Sequence, residues 1–172
     1  MSASATTDRN AAGGGSSKSG QYLSFSIGDE DYGIDILKVQ EIRGWESVRP
    51  LPGTPDYVKG VLDLRGAIMP IIDMRLRFKL ERAEYNATTV TIILGIQVQG
   101  KPYMLGIVVD AVSDVLDIQA DEIKATPALG KKIDTKYLLG MVSIDGRVVL
   151  LLDAENLLDP DELLSLGNEE SD

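Results

Sequence analysis

Asp73 and Asp153 are the side chains that first suggest chemistry, because a pair of carboxylates is the usual acid–base machinery when histidine is missing. Each, however, ends an apolar stretch and precedes a helical pattern, Met74 to Phe78 in one case and Ala154 to Leu158 in the other. In that setting a carboxylate accepts the otherwise orphaned N–H bonds of a helix start, which is worth about 0.5–2 kcal/mol over alanine. Asp159-Pro160 repeats the signal, with proline at the first helical position. Asp29-Glu30-Asp31 lacks the twelve-residue alternation and terminal glutamate of a calcium loop. Gly130-Lys131 is preceded by Ala125 where a phosphate-binding loop requires its first glycine, and neither G-x-G-x-x-G nor G-x-S-x-G occurs. Asn86-Ala87-Thr88 fits a glycosylation sequon, which a cytoplasmic chain never presents to the glycosylation machinery. No catalytic, metal or cofactor site is expected.

Composition points the same way. The 172 residues contain neither His nor Cys, so imidazole bases, thiol nucleophiles, disulfides and the common zinc ligand sets are excluded. Net charge is −10, with 17 Lys plus Arg against 27 Asp plus Glu. Eight of the acids lie in residues 153–172, which carry no base. An acidic chain with only nine aromatic residues is a poor match for DNA, RNA or anionic lipid. No run approaches the ~18–20 apolar residues of a membrane span, and residues 1–20 lack the apolar core of a signal peptide. The expected address is the cytoplasm.

The elements that must position any site are mostly strands. Residues 1–20 are Ser, Ala, Thr and Gly and read as a disordered leader; 167–172 read as an acidic tail. From Gln21 to Leu166 we expect a single folding unit. Leu23, Phe25 and Ile27 alternate with polar neighbours, turn through Gly28-Asp29-Glu30-Asp31, and resume at Tyr32, Ile34 and Ile36. Thr89 to Val98 and Tyr103 to Val109 form a second hairpin. Gly140 to Ile144 and Arg147 to Leu152 form a third around Asp145-Gly146, a dipeptide that tolerates the positive φ of a tight turn. Helix is confined to the segment after Asp73, a turn near Ala120–Ile123, and the end from Ala154 to Leu166.

The chain also repeats itself. A shift of 80 places Tyr57, Gly60, Leu64, Gly66 and Asp73 on Tyr137, Gly140, Ile144, Gly146 and Asp153. Upstream, a shift of 73 places Gly33, Val39, Glu41 and Ile42 on Gly106, Val112, Asp114 and Val115. Each half then supplies about five short strands, and five strands leave two exposed edges unless the sheet curls. Two small barrels packed pseudo-symmetrically, with a groove between the halves, satisfy both constraints. The class is therefore all-β. What remains for function is a binding surface. Val39 and Val112, paired by the repeat, are equally compatible with core and groove. Arg65 lies at a hairpin tip, opposite Asp145, and residues 59–82 carry six bases against three acids.

Three runs carry a closer identification. Tyr32-Gly33-Ile34-Asp35-Ile36-Leu37-Lys38-Val39-Gln40-Glu41-Ile42-Arg43-Gly44, the run from Gly60 to Arg75 through Leu64-Arg65-Gly66, and Gly106 to Val115 together resemble the signatures of the CheW family of bacterial chemotaxis coupling proteins. The similarity covers Gln21 to about Leu166. It implies two intertwined five-stranded SH3-like β-barrel subdomains in one domain, with short helices including a C-terminal one, and no enzymatic activity or cofactor. It also implies an adaptor between the cytoplasmic tips of methyl-accepting chemotaxis receptors and the C-terminal regulatory domain of the histidine kinase CheA, recruited to membrane-associated arrays. On the family's pattern Val39, Glu41, Ile42, Arg65, Val109 and Val112 would serve the receptor, with Glu41 and Arg65 paired. Tyr57, Val58, Gly60 and Val61 would lie near the kinase. Asp63 departs from the family's usual Asn; it loses the amide donors, keeps the ability to cap a turn, and adds a charge able to compete with Glu41 for Arg65. An enzyme built on Asp and Arg residues, a nucleic-acid-binding barrel, and a related coupler serving another chemosensory pathway are the alternative readings.

Overall fold

The computed structural model describes residues 19–79, 84–125 and 135–158. The strands are β1 (Gly20–Ile27), β2 (Glu30–Asp35), β3 (Val39–Gly44), β4 (Val58–Leu64), β5 (Ala67–Asp73), β6 (Val90–Val98), β7 (Lys101–Val109), β8 (Ala111–Ile118), β9 (Leu138–Ile144) and β10 (Arg147–Leu152), with one short α-helix, α1 (Met74–Arg77). Single 3-10 turns occupy Ile36–Lys38, Ala120–Glu122, Thr135–Tyr137 and Ala154–Asn156. The three hairpins and the helical turns after Asp73 and Asp153 fall where the sequence places them; the helix expected beyond Leu158 lies outside the described residues.

Strand order is β8-β1-β2-β10-β9 in one sheet and β3-β6-β7-β5-β4 in the other. Neither sheet belongs to one half of the chain. The first hairpin, β1–β2, joins three strands of the second half, and β6–β7 joins three strands of the first half. The exchange is made by two parallel pairings, β2 with β10 and β7 with β5, which match Gly33 to Leu151 and Gly106 to Ile71. Those four residues are themselves repeat mates, so the pseudo-twofold is obeyed at the level of register.

The sheets curl without closing. Within each ladder the outer strands stay unpaired to one another, yet an isolated bridge spans them on each side: Arg49 with Val61 in one sheet, Lys124 with Met141 in the other. Backbone constraints repeat here as well. Gly60 has φ 146°, Gly140 has φ 157°, and a Cβ at either would run into the carbonyl of the bridging residue, Arg49 or Lys124. Only glycine permits that approach.

Alternation along the strands sorts the apolar residues into three cores. Tyr22, Ile118, Val142, Val149 and Leu151 fill the curl of one sheet. Met69, Ile71, Ile93 and Val108 fill the curl of the other, with Trp45, Val48 and Leu62 packed against them. The intervening residues, among them Leu23, Phe25, Ile34, Ile72, Ile92, Leu94, Ile107, Leu150 and Leu152, form the largest core, between the sheets. This explains runs such as Val149 to Leu152, which are apolar at every position because both faces of the strand are covered.

Candidate functional site

On the first-half sheet, β3 is an edge strand whose side chains alternate between half-buried and exposed. Val39 packs against the inter-sheet core, Ile42 stands 43% exposed, and Glu41 between them is half-buried. A glutamate at such an edge needs cations, and two are supplied. Arg65 Nη2 donates to Glu41 Oε1 at 3.2 Å, and Arg43 Nη1 donates to Oε2 at 3.2 Å. Arg65 reaches across because the β4–β5 turn holds it at φ 54°, ahead of Gly66 at φ 84°, the left-handed pair of a tight hairpin. Asp63 does not compete for it. Its Oδ1 accepts the Gly66 N–H at 3.2 Å, so it caps the turn instead.

The other residues expected to serve a receptor are placed differently from one another. Val112, on β8, is half-buried and packs against the same core as Val39. Val109 is wholly buried and can act there only by shaping what lies above it. Leu37, which the sequence reading passed over, is 79% exposed on the 3-10 turn just before β3, where the Asp35 carboxylate accepts its N–H at 2.9 Å. Alternation had claimed Ile36 for the strand; the turn breaks the alternation and turns Leu37 outward. A cavity of about 150 Å³ lies beside it, lined by Ser19, Gly20, Gln21, Tyr22, Asp35, Ile36 and Leu37.

Of the four residues expected near the kinase, Val58 and Gly60 are buried and serve the barrel itself. Val61 and Tyr57 are half-buried and present at its surface. Val61 exchanges both backbone bonds with Arg49 (2.9 and 3.3 Å), and the Tyr57 carbonyl accepts the Asp73 N–H at 2.8 Å. The repeat mate does the same, Asp153 N–H donating to Tyr137 at 2.8 Å.

The capping aspartates share a motif but not an environment. Asp153 Oδ1 accepts the Glu155 N–H at 3.3 Å and is half-buried. Asp73 is fully buried, caps Arg75 N–H at 3.0 Å, and also receives the Arg75 side chain, Nε to Oδ1 at 2.6 Å and Nη2 to Oδ2 at 3.0 Å. Tyr85 donates its hydroxyl to Asp73 Oδ2 as well. Arg75 Nη1 continues to Asp110 Oδ1 at 2.6 Å and to the Glu84 carbonyl at 3.1 Å. Asp110 Oδ2 in turn accepts the N–H of Gly28, in the β1–β2 turn, at 2.7 Å. Burial alone works against the charged guanidinium, but its bonds to Asp73 and Asp110 outweigh that and hold its pKa above the ordinary arginine value. Both carboxylates are thus engaged by one guanidinium. Arg75 and Asp110 lie in the runs that carry the family resemblance, but no sequence pattern assigns them and Tyr85 a shared role; only the fold brings them together.

Three of the described bases in the stretch 59–82 are engaged within the fold rather than gathered into a face. Arg75 is interior, Arg77 lies half-buried between tyrosine rings, and Arg65 is bound to Glu41. Among the described residues no cluster of carboxylates is arranged to hold a metal ion, and no helix is long and apolar enough to cross a membrane.

This architecture has named counterparts. The chain is 43% identical over 148 residues to a chemotaxis protein CheW of Klebsiella aerogenes, covering 86% of this chain and 87% of that one. It is 31% identical over 149 residues to protein FrzA of Myxococcus xanthus, covering 87% and 88%. Among solved structures, the scaffolding protein TtCheW from Thermoanaerobacter tengcongensis superimposes with a TM-score of 0.72 at 29% identity, covering 84% of this chain and 90% of that one. The CheW-like domain model matches residues 21–162, which include both sheets, the Glu41–Arg65 pair and the Asp73–Arg75 network, and the chain belongs to that family.

Proposed function

We propose that the protein is a non-enzymatic adaptor that couples methyl-accepting chemoreceptors to the histidine kinase CheA, so that receptor state controls kinase activity within membrane-associated arrays. The observation that carries this reading is the construction of β3. Its two apolar residues are divided between core and solvent, Val39 half-buried and Ile42 exposed, while the charged residue between them is neutralised from both sides. A strip of that kind offers an apolar centre with a satisfied polar rim, the anatomy of a protein-binding patch rather than of a reaction site. Val39, Glu41, Ile42, Arg65 and Val112 are assigned to the receptor, with Val109 supporting them from the core. Tyr57 and Val61 are assigned to the kinase, on the scaffold made by Val58 and Gly60. Micromolar affinities, about −8 kcal/mol, are sufficient, since an array multiplies effective concentration.

Calorimetric titration of the protein against the regulatory domain of CheA and against a receptor tip fragment tests the reading. Val39→Asp places an unpaired charge in an apolar strip, so it should weaken the receptor fragment more than the kinase domain. A folded wild-type protein that binds neither partner refutes the function; equal losses at both, with a lower melting temperature, refute the assignment of Val39.

A further inference from the structure

The repeat brings four residues together on its own axis. A shift of 80 maps Tyr57 onto Tyr137 and Arg77 onto Leu157. Arg77 Nε donates to the Leu157 carbonyl at 3.1 Å, so the mates touch across the pseudo-twofold. The Arg77 guanidinium lies 4.5 Å from the Tyr57 ring centroid and 5.2 Å from that of Tyr137. One cation is therefore shared by two repeat-related rings, one from each half of the chain. The surroundings are unequal: Tyr137 is buried with its ring tilted against Phe78 at 5.5 Å, whereas Tyr57 is half-buried at the surface. Tyr137 is thus the fixed wall on which Arg77 rests, and Tyr57 the ring that the guanidinium holds.

We propose that Arg77 is a positioning residue for kinase recognition: it holds the Tyr57 ring in one orientation, braced on the second half of the chain, before the partner arrives. The inference rests on the assignment of Tyr57 to the kinase above. A planar guanidinium stacks on a ring by its face while donating from its edge in a fixed geometry, whereas a lysine ammonium has no planar face to fix the ring's orientation. Without the clamp, the ring must be ordered during binding, and immobilising one such side chain weakens association about twofold to tenfold. Receptor binding, which uses β3, should not feel the change.

The test is a thermodynamic cycle on the full chain by calorimetry, with the CheA regulatory domain and a receptor tip fragment as the two titrants. Arg77→Leu should weaken the kinase domain about threefold to tenfold while the receptor fragment changes less than about twofold. Arg77→Lys should fall between wild type and Arg77→Leu. In a Tyr57→Leu background, Arg77→Leu should add less than about a twofold loss, because the ring it positions is gone. Equal losses for both partners, or an undiminished loss in the Tyr57→Leu background, would show a structural role only and overturn the inference. Wild type that binds the kinase domain with Arg77→Leu binding equally well overturns it alone; wild type that fails to bind the domain removes the coupling function and this inference with it.

Discussion

Removing each capping carboxylate in turn separates what the repeat makes equivalent from what the fold makes different. Asp73 and Asp153 occupy matching positions, end matching strands and cap matching turns, so the motif alone assigns both the same value, about 1 kcal/mol. The structure assigns them different ones. Asp153→Ala loses a cap at a half-buried site where water replaces the carboxylate. Asp73→Ala loses the cap and leaves Arg75, only 2% exposed, facing the space its partner occupied. Breaking a buried ion pair from one side costs about 3–5 kcal/mol, because the surviving charge stays desolvated. Asp110 remains on Arg75 at 2.6 Å with a partly exposed carboxylate, which keeps the expected loss near the lower end, about 3 kcal/mol.

For a chain of this length 1 kcal/mol moves the melting temperature by about 2–4 °C. Asp153→Ala should therefore melt about 2–4 °C below wild type and Asp73→Ala about 6–12 °C below it. Circular dichroism melts with matching urea midpoints read both, and kinase-domain titration should be nearly unchanged for the folded variants. Asp73→Asn refines the comparison: it keeps a carbonyl to accept the Arg75 N–H yet removes the charge, so it should lie closer to Asp73→Ala than to wild type. Equal shifts for Asp73→Ala and Asp153→Ala would refute the reasoning, since they would mean the buried network contributes nothing beyond a cap.

Three further outcomes are expected. Tyr85 is pushed up to about 12, first by burial, then by its hydrogen bond to Asp73 and that carboxylate's charge, against an opposing effect of Arg75. Because the folded value lies above tyrosine's ordinary value of 10.0, this group's stabilisation is complete below pH 10, declines as pH rises from 10 toward 12, and levels off above; urea midpoints should fall more steeply over that window for wild type than for Tyr85→Phe, and identical slopes would contradict it. Gly60→Ala should lower stability by more than ~3 kcal/mol because the Arg49 backbone carbonyl blocks the new methyl, whereas Gly66→Ala, strained at φ 84° but in open space, should cost about 1–2 kcal/mol; parity in denaturation would refute the steric argument. Arg65→Ala should change stability by less than ~1 kcal/mol, since the arginine is 74% exposed, yet weaken the receptor fragment by releasing Glu41; a large melting shift would make Arg65 a structural residue.

Much of this fold was legible because period-two patterning and turn dipeptides are local signals. The three hairpins follow from alternation around Gly28, Gly100 and Gly146, and the repeat announced two equivalent units. What local signals did not carry was which strands share a sheet. Offsets of 73 and 80 are satisfied whether each half forms its own barrel or the halves exchange hairpins, and it is the pairing of β1–β2 with β8 and β10, and of β6–β7 with β3 and β5, that decides for exchange. The Glu41–Arg65 pair was legible through family resemblance, being 24 residues apart with no local reason to meet. Arg75 was read as part of a basic stretch because its burial depends on Asp110, 35 residues away in sequence and brought beside it only by the fold. Val109 and Val112 were indistinguishable as apolar residues near a strand junction; one is in the core and the other at its margin.

The repeat also bears on how far the two halves of the chain present the same surface. Apolar residues left exposed in the first half recur in the second: Ile42 with Val115, and Ile68 with Val148. Shape is thus duplicated. Charge is not, because the Glu41–Arg65 ion pair of the first half has as its repeat mates Asp114 and Asp145, two exposed acids that repel and cannot pair. An apolar patch beside a neutralised pair and an equivalent patch beside two free carboxylates bury similar area but favour partners of different charge, and discrimination between partners is a difference in affinity that such like-charge penalties supply. Duplication alone would produce two copies of one binding site. Aspartate at position 145, where the first half has Arg65, is enough to make the two surfaces electrostatically different.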